Sequence, residues 1–245
     1  MVFVFAWCLQ VPASTLPDER VIIQEVLDKY IDSQGGRERL ESLVTLEIKG
    51  TMSLDSQGLD VEVHQRVISP DKMFFVQEFP VLGTTQVTLN GDRGWESHPI
   101  AGERPMDKTE LKDTLKDTDL QRDLRLIDEY ESIRLGLPET IEDIETIHLV
   151  MLDADGREEH WYFKEDGDLF QKIHTVTSGP ESEYESTDRF YDFKTVDGFR
   201  FPQTIRFIQP SYVAELTISD CRINQEFDPH IFELPEAAFL MNHDF

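Results

Sequence analysis

The stretch YIDSQGGRERLESLVTLEIKGTM, Tyr30–Met52, changes its period at a glycine pair. Upstream, Ile22, Ile23, Val26, Leu27, Tyr30 and Ile31 recur at helical spacing and make one apolar stripe. Downstream, Leu46, Ile48, Gly50, Met52 and Leu54 alternate with Glu47, Lys49, Thr51 and Ser53, the two-residue period of a half-buried strand. Thr15 with Asp18 matches a capping box, Pro17 falls in the first turn, and Gly35 with Gly36 supply the left-handed dihedrals that stop the helix. RERLESL adds a short helical turn with Leu40 and Leu43 on one side. A helix therefore leads, through two glycines, into the first of many strands.

Those strands follow at short intervals. DSQG is a turn, and LDVEVHQRVI returns with Leu59, Val61, Val63 and Val67 on its apolar face. SPDK turns the next corner, MFFVQEF and GTTQVTLN are the third and fourth strands, and Asn90-Gly91 has the type I′ preference of a tight hairpin leading to Trp95. The series then breaks: Leu111 and Leu115, then Leu120, Leu124 and Ile127, stand at helical spacing in a charged background and predict two short amphipathic helices. TIHLVML, EEHWYFK, LFQKIHTVT, STDRFYDFK, FPQTIRFI and VAELTISDCRI resume the strands, separated by turn-rich corners.

The fold class predicted is mainly β (α+β): a curved antiparallel sheet of about 10–11 strands, wide enough for twist to curl it into an incomplete barrel. The N-terminal helix and the helical insertion cover it. Strand parity beside the helices nominates Ile48, Met52, Val61, Val63, Met73, Phe75, Val87, Leu89, Trp161 and Phe163 as cavity residues, and Ile23, Leu27, Tyr30, Leu111, Leu115 and Leu124 as the lid. Plain core packing is the competing reading for the aromatic residues. Met52 and Met73 add adaptability for chains of varied shape.

Of the 245 residues, 23 are Lys or Arg and 49 are Asp or Glu, a formal charge of −26 with no basic cluster. Phosphate backbones and anionic bilayers are repelled, so nucleic acid is not an expected partner. MVFVFAWCLQVPAS carries no charge, and its apolar run, about eleven residues, falls short of the ~20 of a spanning helix. Residues 1–14 read as an export signal, with a buried N-terminal strand as the alternative, and residues 15–245 as one domain. Without Cys8, a lipoprotein-type acylation site only if the bulky Trp7 before it is tolerated, Cys221 is the single thiol.

Catalytic chemistry has no signature here. His64, His98, His148, His160, His174, His230 and His243 show no zinc spacing; His148, His160 and His174 lie on adjacent predicted strands, where register decides whether they meet. DADG and EDGD lack the rest of a calcium loop and read as acidic turns. No nucleophile elbow, Walker loop or dinucleotide fingerprint is present, so no cofactor or metal is expected.

In order and spacing, YIDSQGGRERLESLVTLEIKGTM, SPDKMFFV, NGDRGWE, WYFKEDGDLFQKI, YDFKTVDGFRFPQTIRF and ISDCRINQEFDPHIFELP resemble the outer-membrane lipoprotein-sorting proteins, the LolA/LolB-like group, from about Leu27 to Pro235. The matching positions are scaffold residues: Gly35, Gly36, Gly50, Pro70, Trp95, Tyr191, Gly198 and Pro202. The resemblance implies a half-barrel whose hydrophobic cavity takes a lipid or a lipoprotein acyl chain without catalysis. It further implies a soluble, monomeric, periplasmic or otherwise exported protein, with a membrane-protein donor or acceptor. The same fold with a filled interior would serve instead as an interaction or sensor module. The glycine pair is expected to fold the first helix back across the trough as an apolar lid, which an acyl chain worth about 0.8 kcal/mol per methylene can displace.

Overall fold

A computed structural model describes residues 18–54, 58–177, 183–236 and 238. The signal reading of residues 1–14, and Thr15 and Pro17 of the capping box, lie outside the described residues. Within them, helix α1 (Glu19–Ser33) is capped by Asp18, whose carboxylate accepts from the Arg20 amide at 3.2 Å. It ends at Gln34, and Gly35 and Gly36 follow with φ of 122° and 88°. Helix α2 (Arg37–Glu41) is the short turn expected from RERLESL.

The strands are β1 (Thr45–Leu54), β2 (Leu59–Ile68), β3 (Lys72–Phe79), β4 (Gly83–Asn90), β5 (Arg93–His98) and β6 (Gly102–Pro105). Helix α3 (Lys108–Thr118), a 3₁₀ turn at Arg122–Arg125 and helix α4 (Leu126–Glu129) follow. Then come β7 (Ser132–Leu135), β8 (Glu139–Ile141), β9 (Ile144–Leu152), β10 (Glu158–Phe163), β11 (Leu169–Thr177) and β12 (Glu183–Tyr191). The chain finishes with β13 (Lys194–Val196), β14 (Phe199–Phe201), β15 (Thr204–Ile208), β16 (Val213–Ile223) and a 3₁₀ turn at Pro229–Phe232.

Among the described residues fourteen strands form one antiparallel sheet, ordered β6-β5-β4-β3-β2-β1-β16-β15-β12-β11-β10-β9-β7 with β8 beside β9, and β13–β14 form a separate hairpin. The curved, unclosed antiparallel sheet is the predicted architecture. It is wider than the periodicity suggests because β5 to β8 hold only three to six residues each, too few to display a two-residue alternation.

Its two edges, β6 and β7, are consecutive in the chain. The helical insertion between them therefore crosses the open side of the half-barrel from one edge to the other. The core lies between α1 and the concave face, where Ile23, Leu27 and Tyr30 pack with Leu46, Met73, Leu89, Leu149, Met151, Trp161 and Phe163.

Candidate functional site

The predicted cavity residues divide between two regions of the concave face. Met73, Leu89, Trp161 and Phe163 are buried directly beneath α1, with Ile48, Phe75 and Val87 partly buried at the margin. Tyr30 meets Trp161 and Phe163 edge-on, at ring separations of 6.0 and 5.3 Å. Leu89 and Phe163 are 0 % exposed, so this part of the trough is filled by the protein's own side chains. Met52 and Val63 stand apart, in a smaller cluster with Leu216 and Ile218 that Ile48 and Phe75 also touch. Val61, paired with Met52 across β1 and β2, is buried.

Of the predicted lid, Ile23, Leu27 and Tyr30 are core residues, whereas Leu111, Leu115 and Leu124 are only partly buried against that core. The residues that α3 buries are Glu110 and Thr118. An apolar hinge alone does not hold this helix. Arg104 grips Glu110 with two bonds of 2.6 and 2.7 Å, Lys116 reaches Asp153 at 3.1 Å, Arg157 reaches Asp113 at 3.1 and 3.2 Å, and Lys112 pairs with Asp155. The expectation of a cover held by apolar contacts is corrected: a charged helix spanning two sheet edges binds their acidic and basic turns more readily than it buries two leucines.

A cavity of about 300 Å³ opens between the C-terminal end of α1, the strands around Trp161 and Phe190, and the β13–β14 hairpin. Trp161 and the lid residue Tyr30 line it; the other nominated residues do not. Its apolar wall comes largely from Phe190, Phe199 and Phe201. The hairpin is clamped by Arg200, which donates to Asp168 at 3.0 and 2.7 Å, and by the Arg200 amide bonding to the Gln34 carbonyl at 3.1 Å. Gly35 and Gly198 make that docking sterically feasible, because a Cβ on Gly35 would lie 2.5 Å from the Gly198 carbonyl oxygen.

The opposite wall is charged. Lys116, Asp117, Arg122 and Lys172 border both this cavity and an adjoining polar one of about 160 Å³. Between them sits Glu159, which accepts from the Trp161 indole at 2.9 Å and lies 3.3 Å from Lys172, whose ammonium is also 5.3 Å from the Trp161 ring centre. Burial alone would raise the Glu159 carboxyl, but Lys172, the Trp161 indole, Arg122 and Tyr130 outweigh it and hold its pKa at about 2. Arg122 donates to the Tyr130 hydroxyl at 2.7 Å and to Glu129 at 2.7 Å. On the cavity's other side the Tyr30 hydroxyl donates to Asp123 at 2.5 Å; burial, then the Asp123 charge, push that phenol well above its usual range and keep it a neutral donor.

Sequence reasoning missed this charged wall, although its signal was present. Glu159 shares its parity with Trp161 and Phe163, and Lys172 pairs directly with Trp161, so both belong to the concave face. The three histidines do not converge. His148 Nε2 and His160 Nδ1 come within 2.9 Å on the convex face, while His174 is concave and pairs with Asp188 at 2.9 Å. Among the described residues no group of three or more His, Cys, Asp or Glu side chains is arranged to hold a metal ion.

No family model matches the sequence, and no curated protein matches it. Solved structures do resemble it. A DUF1329 family protein from Desulfovibrio piger is 12% identical with a TM-score of 0.58, covering 86% of this chain and 97% of its own. A domain from Vibrio parahaemolyticus, described as an outer membrane lipoprotein-sorting protein, is 12% identical with a TM-score of 0.57, covering 85% and 94%. The LolA superfamily protein NE2245 from Nitrosomonas europaea is 14% identical with a TM-score of 0.54, covering 86% and 97%. At these identities the likeness is one of architecture, and it agrees with the open sheet bridged by helices: the chain has a LolA-like fold.

Proposed function

We propose that this protein binds a lipid or lipoprotein acyl chain, without catalysis, in the cavity beside Tyr30 and Trp161. The observation that carries the reading is the cavity itself, about 300 Å³ with an aromatic wall, beneath a chain crossover that other parts of the molecule hold in place. That volume is at the lower end of the ~300–1,000 Å³ of small-molecule sites, enough for part of a chain with the remainder in the trough. One similar fold is described as an outer membrane lipoprotein-sorting domain, which agrees with this reading. An exported protein that receives cargo from, or delivers it to, a membrane protein follows from the same reading. No helix among the described residues is long and apolar enough to cross a membrane.

The filled region beneath α1, with Leu89 and Phe163 wholly buried, favours a second reading, an interaction or sensor module that uses the fold's outer surface. Mass spectrometry of gentle organic extracts from the natively purified protein separates the two. Co-purifying lipid, together with saturable uptake of a fluorescent acyl-chain probe that quenches Trp161, is the expected result. Empty extracts and no uptake by the folded protein would transfer the assignment to the interaction module.

A further inference from the structure

The charges around the cavity do not balance in the same way for both signs. Its four cations are each occupied: Lys116 by Asp153 at 3.1 Å, Arg122 by Glu129 at 2.7 Å, Lys172 by Glu159 at 3.3 Å and Arg200 by Asp168 at 2.7 Å. The acids are not. Asp119 pairs with Arg125, and Asp168 with Arg200, but among the described residues Asp123 receives only the Tyr30 hydroxyl and the Gln34 amide. Asp117 makes no hydrogen bond or ion pair with any described side chain.

Asp117 is exposed, and it lines both the aromatic cavity and the polar one. Surrounding protein desolvates the carboxyl and raises its pKa, even with Lys172, His174 and Arg122 near enough to oppose the effect. A lone acid at a cavity wall, with part of its hydration displaced by protein, is stabilised when an opposite charge or a donor reaches it. An anionic headgroup entering the same space would find every cation already engaged and an unpaired carboxylate facing it.

We propose that the cavity selects amphiphiles bearing a cationic amine, with Asp117 receiving the amine while the apolar body lies against Trp161, Phe199 and Phe201. This rests on the lipid-binding reading above and adds the class of headgroup. A protonated amine would donate to the Asp117 carboxylate, converting the unpaired acid into a charge-assisted hydrogen bond in a partly dehydrated space. The expected gain over a neutral chain of equal length is roughly ten- to a hundredfold in affinity.

The experiment is calorimetric titration of the folded full chain with decylamine, decanol and decanoate, each below its micellar concentration and in about 0.15 M salt to screen the surface charge. Decylamine is expected to bind at least tenfold tighter than decanol, with decanoate weakest. In Asp117→Asn, and in Asp117→Ser as a second variant, amine and alcohol should fall within about threefold of one another. Glu103→Gln, an exposed acid on β6, should leave the preference intact. Decanol or decanoate binding as tightly as the amine overturns the headgroup assignment while leaving chain binding standing. So does an amine preference that persists in both folded Asp117 variants, since it then reflects overall charge. If no probe binds the folded protein, the lipid-binding reading and this inference fall together.

Discussion

Glu159 and Lys172 face one another across β10 and β11 on the concave side of the sheet, 3.3 Å apart, with the Trp161 indole donating to the same carboxylate. Both side chains are mostly buried. Removing one partner strands the other charge, so Lys172→Met is expected to destabilise the protein by roughly 3–5 kcal/mol, read as a lowered thermal midpoint. The double change Glu159→Gln, Lys172→Met should recover much of that loss. A double variant as unstable as the sum of the singles would show that the two charges do not act as a pair.

The same carboxylate gives a pH dependence with a definite sign. The folded-state pKa of Glu159, about 2, lies below its ordinary value of 4.5. Its contribution is thus complete above that ordinary value and is lost as pH falls from about 4.5 through about 2. Denaturant titrations across this range should show a shallower acid-side slope in Glu159→Gln than in the parent protein. Identical slopes would remove Glu159 from the account of acid sensitivity.

Gly35 and Gly36 should respond unequally to alanine. Both have positive φ, but a Cβ at Gly35 meets the Gly198 carbonyl oxygen at 2.5 Å, whereas at Gly36 it meets nothing within 4 Å. Gly36→Ala is expected to cost about 1–2 kcal/mol from dihedral strain alone. Gly35→Ala adds roughly 1–3 kcal/mol of steric cost and displaces the β13–β14 hairpin. Equal destabilisation of the two variants would mean that the hairpin gives way without penalty.

Arg157 anchors the helical crossover by holding Asp113, which also accepts from Thr177 at 2.7 Å. Arg157→Met should raise hydrogen exchange along α3 while lowering global stability by only about 1–2 kcal/mol. Faster uptake of an acyl-chain probe is the accompanying outcome if the crossover gates the cavity. Unchanged exchange in α3 would show that Arg104 and Lys116 suffice to hold it.

His148 is shifted in the same direction as Glu159, at a higher pH. Burial, opposed by its bond to the Leu137 carbonyl and reinforced by the nearby His160, holds its pKa below the ordinary 6.5. Glu139 and Arg134 are the charged groups around it and act in opposing directions. A lowered histidine pKa means that stability is present above pH 6.5 and declines as pH falls below it, because the unfolded state takes the proton first. His148→Gln should flatten stability between about pH 5 and 7. A curve that keeps its full slope would assign that dependence elsewhere.

Much of the scaffold was legible because long elements display their period. The stripe from Ile22 to Ile31 and the alternations beginning at Leu46, Leu59 and Met73 leave little freedom in assigning α1 and β1 to β3. The β13–β14 hairpin was not legible: three-residue strands show no period, and Phe199 and Phe201 read equally well as ordinary corner aromatics. Strand order was also hidden. Nothing local in Leu46 or Ile223 announces that they are partners, so the insertion was read as a cover but not as the link between two edges. The cavity's charged side was obscured by abundance, since among 49 acids Glu159 looks like a surface residue until the sheet curves around it, and nothing local marks Asp117 as lining a cavity.

The β1–β16 ladder, in which Leu46 opposes Ile223 and Leu54 opposes Ala214, joins the first and the last of the described strands. Folding must therefore close a loop of more than half of the polypeptide before its central seam can form, which places the protein among slow, high-contact-order folders. Until the last strand arrives, β1 presents ten residues of unpaired backbone next to an apolar surface, a template for intermolecular pairing. Premature termination before Val213 would leave that template permanently open, yielding insoluble aggregate rather than a smaller working protein.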